Sequence, residues 1–176
     1  IAYSGGVDSS LVAAIAKEQL KTKAIAVTGV SAALASYLLA EARHQANWIG
    51  IEHQECYTNE LDDPAYRNNP ENRCFACKKE LHLHLKEIAK LSKNSKILDG
   101  VNFDDIKEYR PGIEAGQNAG VISPLAQLKI NKNSVRQISK SLGFPWWDKP
   151  AQPCLASRLP YGETITSKRL KQIEKA

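Results

Sequence analysis

The sequence predicts an α/β protein built on a doubly wound parallel sheet. Apolar residues recur at helical spacing in several segments, and short β-rich runs lie between these segments. A third observation is the stretch from Ser4 to Ser10, which follows an apolar strand-like stub and opens a helix. Alternating strands and helices favour right-handed βαβ units, whose helices cover both faces of the sheet.

The apolar spacing places the helices in order along the chain. Four sets of residues predict them: Leu11, Val12, Ile15, Ala16; Leu34, Leu38, Ala42, Ala46; Leu81, Leu85, Ile88, Leu91; and Val135, Ile138, Leu142. Gly143 is expected to stop the last of these helices. The β-rich runs predict strands over residues 24–30, 48–52 and 96–100. The proline- and asparagine-containing connection 56–79 is predicted to be an active-site loop, and 144–163 a second irregular stretch.

The stretch Ser4-Gly5-Gly6-Val7-Asp8-Ser9-Ser10 predicts a pyrophosphate-binding turn. Two adjacent glycines permit backbone angles that other residues avoid, and the amides of the following helical turn then converge on an anion. A Walker loop is excluded, because Val7 and Asp8 stand where that loop needs lysine. Asp8 is expected to hold Mg²⁺ or the loop itself. The alternative is an ordinary glycine turn before a helix capped by Asp8 or Ser9.

Further candidates follow from the ends of the predicted strands, because ligands of parallel sheets bind beyond the carboxyl ends of strands. Thr28 closes the second strand and is expected to border the adenine or the ribose. The run from Asp99 and Gly100 to Asp105 carries three carboxylates, and its alternative interpretation is a turn with helix caps.

The four cysteines are Cys56, Cys74, Cys77 and Cys154. With no sign of secretion, metal binding or catalysis is expected before disulfides. Cys74 and Cys77 are spaced to share one metal, with Cys154 as the candidate third ligand and Arg158 one helical turn beyond it.

Several alternatives remain open for the cysteines and their neighbours. Zinc is the rival metal, with His82 or His84 added to the cysteine pair, although both histidines are expected at the surface or rim. Cys154 could instead be a small buried apolar residue, and Cys56 is expected to serve packing.

Composition limits the classes of partner. The 176 residues are 43% apolar with a net charge of +5, which suits one core and an anionic partner such as a nucleotide. The basic residues are scattered, so no RNA partner is expected. No apolar run is long enough to span a membrane, which indicates a cytoplasmic protein. The absence of Met, a first residue already inside a strand and a last helix without a stop signal indicate missing segments at both ends.

The opening loop resembles that of the PP-loop ATP pyrophosphatases (adenine nucleotide alpha hydrolase-like proteins), which adenylate a substrate and release pyrophosphate. Longer stretches resemble the LarE family of ATP-dependent sulfur transferases. These stretches are Asn72-Arg73-Cys74-Phe75-Ala76-Cys77-Lys78, Asp99-Gly100-Val101-Asn102, Tyr109-Arg110-Pro111-Gly112, Ser123-Pro124-Leu125 and Pro153-Cys154-Leu155-Ala156-Ser157-Arg158. One departure is the lack of proline after Ser31.

The resemblance implies a function and a set of site residues. The substrate would be a pyridinium carboxylate mononucleotide, converted to a thiocarboxylate for the nickel-pincer cofactor of lactate racemase, in a homo-oligomer. Catalysis is expected from Asp8, Cys154 and Arg158, and binding of the substrate phosphate from Arg110, Ser157 and Arg158. ATP, with Mg²⁺, is assigned to Ala2, Tyr3, Ser4, Gly5, Gly6, Asp8, Ser9, Ser10, Thr28, Arg73 and Gly100.

For the sulfur source the resemblance offers two mechanisms. Family members with cysteines at the positions of Cys74, Cys77 and Cys154 are thought to hold a [4Fe-4S] cluster that carries the transferred sulfide, and this chain has all three. Members with only the cysteine at the position of Cys154 give up its sulfur and keep dehydroalanine. The cluster form is the prediction here.

The sequence also predicts a division into two parts and leaves other functions open. Residues 1–145 are predicted to form the PP-loop domain, and 146–176 the start of a truncated C-terminal segment for sulfur transfer and substrate binding. The alternative functions are tRNA thiolation, amide-forming synthesis and non-catalytic nucleotide binding.

Overall fold

A computed structural model describes all 176 residues and confirms an α/β fold with a parallel sheet. Strand β1 (Ile25–Val30) pairs in parallel with β2 (Glu52–Tyr57), with Val27 opposite Gln54. The predicted strand 24–30 is therefore confirmed.

Backbone hydrogen bonds extend this parallel pairing to three short extended segments. Tyr3 N donates to Val27 O at 2.8 Å, and Ala2 N donates to Leu98 O at 2.8 Å. Asp99 N donates to Ile122 O at 3.1 Å. The order across the sheet is thus β2, β1, then residues around 2, 98 and 122. Only β1 and β2 are regular strands, so the doubly wound arrangement remains a prediction.

Eight α-helices surround these strands. They are α1 (Val7–Leu20), α2 (Ser36–Ile49), α3 (Pro64–Arg67), α4 (Arg73–Lys90), α5 (Pro111–Asn118), α6 (Pro124–Gln127), α7 (Lys132–Ser141) and α8 (Ser167–Lys175). Four 3₁₀ turns cover Lys21–Lys23, Glu60–Asp62, Asp105–Lys107 and Leu155–Arg158. The four helices predicted from apolar spacing correspond to α1, α2, α4 and α7. None of the helices combines the length and the apolar content that crossing a membrane requires.

The strand predicted over residues 48–52 was wrong. Trp48 and Ile49 lie in the last turn of α2, which Gly50 closes with φ of +72°. A left-handed residue at this point ends the helix, so the extended chain begins only at Glu52. The run 96–100 is also less regular than predicted, because Leu98 forms only an isolated bridge.

The loop predicted over residues 56–79 is largely helical. Asp63 caps α3 by accepting a hydrogen bond from Ala65 N at 2.8 Å, and Pro64 occupies the first helical position. Helix α4 begins at Arg73, so both Cys74 and Cys77 lie in its first turns. Pro64, one of the prolines on which the loop prediction rested, instead occupies the first position of a helix.

Two apolar clusters position the regions of interest. Alanines of α1, α2 and β1 pack together and let the backbones approach closely; they are Ala13, Ala16, Ala26, Ala42 and Ala46. A second cluster joins the residues before and within α4 to the C-terminal segment; its members include Tyr66, Ala76, Leu155, Ala156, Ile165 and Leu170. The predicted boundary at residue 145 stays a prediction, although the two sides of it share this core. Cys56 is buried against Val27 and Leu85, as its packing interpretation predicted.

Candidate functional site

The loop that opens α1 is a tight glycine turn before a helix without a side-chain cap. Gly5 has φ of +71°, and a Cβ at this residue would lie 3.0 Å from the Cα of Ala42. Only glycine therefore satisfies both the backbone angle and the close approach of α2. Gly6 is the N-cap of α1 and receives no side-chain cap, so the first amides of the helix are left for another partner.

Serine hydroxyls fix the two ends of this loop. Ser9 Oγ donates to Gly6 O at 3.1 Å and lies 3.2 Å from Ser4 Oγ. Ser10 Oγ donates to Gln45 Oε1 at 3.3 Å, which ties the start of α1 to α2. Ser4 itself is exposed, so the outer side of the loop is open to a ligand.

Gly100 packs directly on the start of α1. A Cβ at Gly100 would lie 2.6 Å from Ser9 N and 2.8 Å from Ser9 Cα. No side chain fits this contact, because the neighbouring atoms belong to the backbone. The structure thus brings the segment after Leu98 against the loop, as the strand-end argument predicted.

Asp8 is held by two residues from distant parts of the chain. Asn102 Nδ2 donates to Asp8 Oδ1 at 3.1 Å, and Lys132 Nζ forms an ion pair with Asp8 Oδ2. Both carboxylate oxygens are therefore occupied, which fits a role for Asp8 in holding the loop and its surroundings. Sequence reasoning missed Lys132; its only local signal is Asn131, whose side chain caps α7 by accepting from Ser134 N.

The turn after Gly100 is organised by its own side chains. Asn102 Oδ1 accepts hydrogen bonds from Asp104 N at 2.9 Å and Asp105 N at 3.3 Å. Arg110, predicted to bind the substrate phosphate, is exposed and already paired with Asp105 at 2.9 Å and Glu108 at 2.8 Å. The turn interpretation of these carboxylates is therefore the one that the structure supports.

The side chain of Thr28 makes its hydrogen-bonding contacts within the sheet. Its Oγ1 donates to Tyr3 O at 2.8 Å and lies 2.8 Å from His53 Nε2. Burial lowers the pKa of His53 and raises that of Tyr3, whose hydroxyl lies 3.4 Å from Ser10 Oγ. Ala2 also pairs with Val27. Ala2, Tyr3 and Thr28, which were predicted to bind ATP, are therefore part of the sheet that carries the loop.

The structure brings Cys77 and Cys154 into one region. Cys77 packs against the cluster that contains Leu155 and Ala156, and Leu155 N donates to Ala33 O at 2.9 Å. Burial raises the pKa of Cys77 to about 12, and the charges of Glu60, Cys154 and Cys74 add to this rise. Cys74 and Cys154 are exposed.

The thiols do not form a metal-binding group as they stand. No three His, Cys, Asp or Glu side chains are grouped closely enough to hold a metal ion. The predicted [4Fe-4S] cluster and magnesium site therefore receive no support from the arrangement of these residues. The surface prediction for His82 was wrong: this side chain is only 3% exposed, because it turns inward beneath α5 near Gly116.

Ser157 and Arg158 surround the backbone of Cys154. Ser157 Oγ donates to Cys154 O at 2.6 Å. Arg158 Nη1 donates to the carbonyls of Pro153 and Cys154, both at 3.3 Å. Cys154 itself is the N-cap of the 3₁₀ turn Leu155–Arg158, so an exposed guanidinium lies next to the cysteine backbone.

Arg73, predicted to bind ATP, is the first residue of α4 and is 5% exposed. Its guanidinium carbon lies 4.9 Å from the centroid of the Tyr161 ring. Its Nε and Nη1 atoms have no hydrogen-bond partner. Sequence reasoning gave no sign of Tyr161 in this role, since the two residues are far apart in the chain.

Comparison with known proteins adds independent information. The family model for asparagine synthase matches residues 2–68, which include the loop, β1 and β2. The chain is 54% identical to an uncharacterized protein of Synechocystis sp., over 100% of this chain and 66% of that protein. It is 32% identical to the pyridinium-3,5-bisthiocarboxylic acid mononucleotide synthase of Lactiplantibacillus plantarum, over 98% of this chain and 63% of that protein. An uncharacterized protein of Methanocaldococcus jannaschii is 30% identical, over 99% of this chain and 66% of that protein.

The matches to these three relatives run through nearly the whole of the chain and include both the loop and the cysteine region. The chain spans 63% to 66% of the length of these relatives.

Proposed function

From this similarity and the shape of the loop, we propose that the chain is the ATP-binding part of a sulfur transferase of the LarE family. Its substrate is a pyridinium carboxylate mononucleotide, and its product is the corresponding thiocarboxylate. The observation that carries the proposal is the Gly5 turn, which leaves the uncapped start of α1 facing the open side of the loop. The similarity to a synthase of a bisthiocarboxylic acid mononucleotide supports the choice of substrate.

ATP binds with its phosphates against the loop amides and the positive end of the α1 dipole. The loop has no lysine of its own, so Lys132 supplies the ammonium group at this end of α1. Before ATP binds, the Asp8 carboxylate holds the Lys132 ammonium group in place and neutralises its charge. Mg²⁺ stays a prediction from the sequence, and both oxygens of Asp8, its expected ligand, are paired with Asn102 and Lys132 in this structure.

Activation of the substrate is an adenylation. A carboxylate oxygen of the mononucleotide attacks the α phosphorus of ATP, the bond to the bridging oxygen breaks, and pyrophosphate leaves. The loop stabilises the negative charge that develops on the phosphates, through donors already in position. The acyl adenylate that remains has AMP as a good leaving group.

Cys154 then provides the sulfur. Its thiolate attacks the acyl carbon, AMP leaves, and a thioester joins Cys154 to the substrate. Loss of the Cα proton and cleavage of the Cβ–S bond release the thiocarboxylate and leave dehydroalanine at residue 154. This self-sacrificing step needs only residues of this chain, and the [4Fe-4S] cluster predicted from the resemblance at Cys74, Cys77 and Cys154 stays a prediction.

The test combines product analysis with intact mass. Anaerobically purified protein is incubated with ATP and the pyridinium carboxylate mononucleotide, and pyrophosphate, AMP and protein mass are measured. We expect one AMP per thiocarboxylate and a protein lighter by one H₂S, and Cys154→Ala should still release pyrophosphate without forming thiocarboxylate.

Several outcomes would contradict the proposal. Turnover without a mass loss, together with iron and sulfide in the purified protein, would restore the cluster mechanism. Formation of thiocarboxylate by Cys154→Ala would remove Cys154 from the reaction. RNA that is retained at low salt and lost steeply as salt rises would favour tRNA thiolation.

A further inference from the structure

Four polar side chains are buried near the thiols without satisfying their hydrogen-bonding groups. The unpartnered atoms are Glu60 Oε2, Tyr66 OH, Asn69 Oδ1, and Nε and Nη1 of Arg73. All four residues are at most 5% exposed. Unpartnered buried polar atoms are rare in folded proteins, so the five on these four residues indicate a binding site for water or a ligand.

These residues lie together beside Cys77 and Cys154. Burial raises the pKa of Tyr66, and the charges of Cys77, Cys154 and Glu60 raise it further while that of Arg73 lowers it. Tyr66 also belongs to the apolar cluster in which Cys77 packs near Leu155, the residue after Cys154. This group of buried side chains, called the pocket below, therefore lies beside the apolar cluster that includes Leu155, the neighbour of Cys154.

Arg73 is buried and makes no ion pair with an acidic side chain. Several more exposed cations do form such pairs: Arg110 with Asp105 and Glu108, Lys132 with Asp8, Lys149 with Glu41, Arg43 with Glu55 and Arg169 with Glu163. A buried guanidinium without a counter-ion is costly, and its stacking on Tyr161 offsets only part of that cost. The carboxylate of Glu60 is buried in the same group but makes no ion pair with Arg73, so an anion that reaches Nε and Nη1 would complete the pairing of the guanidinium.

The start of α4 adds a second attraction for an anion. Its N-cap, Asn72, makes no side-chain cap, so the positive end of an 18-residue helix is left without a capping partner. Arg73 is the first residue of this helix, so the helix dipole and the guanidinium act on the same place.

The pocket is covered by a short segment that Asn69 holds in position. Asn69 Nδ2 donates to Pro160 O at 2.7 Å, and Gly162 N donates to Asn69 O at 2.9 Å. Tyr161 lies between these two anchors, and its ring, 60% exposed, forms the outer wall over Arg73.

We propose that Arg73 and Tyr66 bind the carboxylate group of the substrate that is to receive sulfur from Cys154. The inference rests on the proposed function, because that reaction must bring a carboxylate to Cys154. Arg73 and Tyr66 supply donors for the carboxylate oxygens. Glu60 carries a negative charge in the same pocket, which disfavours a doubly charged phosphate and selects a singly charged group.

The experiment compares two mononucleotides that differ only in this group. Nicotinic acid mononucleotide carries the carboxylate and nicotinamide mononucleotide the uncharged carboxamide. Calorimetric titration without ATP should show that the wild type prefers the carboxylate by about 10–100-fold, the range for hydrogen bonds to a charged group. Arg73→Gln should abolish the preference, and the control Arg43→Gln, at an arginine paired with Glu55 and assigned to no site, should keep it.

Other results of this titration would also confirm or overturn the proposed carboxylate site. An Arg73→Gln protein that keeps the preference would overturn the proposal and leave ordered water as the occupant of the pocket. If Arg73→Gln fails to fold, Tyr66→Phe keeps the ring and removes the hydroxyl. Its preference should fall about 3–10-fold, the cost of one hydrogen bond, and full retention would overturn the proposal.

Failure of this site and failure of the proposed function are distinguishable. A wild type that prefers the carboxylate but releases no pyrophosphate from ATP would keep the site and overturn the function. A wild type that releases pyrophosphate but shows no preference would keep the function and overturn the site.

Discussion

Lys132 brings a positive charge to the start of α1, where the loop sequence has none. Its ammonium pairs with Asp8, and both side chains are largely shielded from water. Removing the ammonium leaves the Asp8 carboxylate facing the incoming phosphates. We expect Lys132→Ala to lower kcat/KM for ATP by about 10–100-fold, the range for a charge-assisted hydrogen bond. The measurement is pyrophosphate release at varied ATP concentration.

A nearby lysine provides the control for Lys132. Lys107 pairs with Asp104 but is 60% exposed, so Lys107→Ala should change the rate by less than about 3-fold. Equal effects of the two substitutions would show that Lys132 acts only through the general charge of this surface.

His82 makes the stability of the fold depend on pH. Burial, with Lys78 and Lys86 nearby, lowers its pKa from 6.5 to about 4. Because the folded state prefers the neutral ring, the stabilisation is complete above pH 6.5 and is lost as the pH falls from 6.5 towards 4. We expect the unfolding free energy to drop by about 1–2 kcal/mol between pH 7 and pH 5 through this group.

Urea unfolding at the two pH values measures this effect. His82→Gln removes the titrating ring, so its unfolding free energy should change less than that of the wild type over the same interval. His84→Gln is the matched control, since His84 lies on the same helix but is partly exposed. If His82→Gln and the wild type lose equal stability, the acid sensitivity belongs to other groups.

For the helices and strands, the sequence patterns predicted which elements exist better than they predicted where each element begins and ends. Helices α1, α2, α4 and α7 follow from apolar spacing, because each buries one face against the sheet or its neighbours. The position of β2 was missed because apolar Trp48 and Ile49 resemble a strand locally. Gly50 was the signal that could have corrected this, since a glycine after a helical pattern marks its end.

The candidate site was predictable only where its chemistry is local. The loop from Ser4 to Ser10 was identified, because glycine angles and helix amides act over a few neighbouring residues. The contact of Lys132 with Asp8 and the stacking of Arg73 on Tyr161 depend on how distant segments pack. No spacing along the sequence encodes such contacts, so the structure was needed to find them.

At the scale of the whole molecule, the C-terminal segment completes a core shared with the rest of the chain. Ala156, Ile165 and Leu170 are fully buried in one cluster with Tyr66 and Ala76. Ile165 N also donates to Arg67 O at 2.8 Å. The predicted division at residue 145 would cut through this cluster and uncover the surroundings of Cys77.

This shared core gives a prediction for a shortened chain. A protein of residues 1–145 should unfold at a lower urea concentration than residues 1–176 and bind a hydrophobic dye, because Tyr66 and Ala76 lose their apolar partners. Within the longer chain, Leu170→Ala should cost about 2–5 kcal/mol, the range for emptying a buried leucine site. Leu91→Ala, at an 85% exposed leucine, should cost less than about 0.5 kcal/mol. An equal urea midpoint for the short and long chains would show instead that residues 1–145 fold as an independent domain.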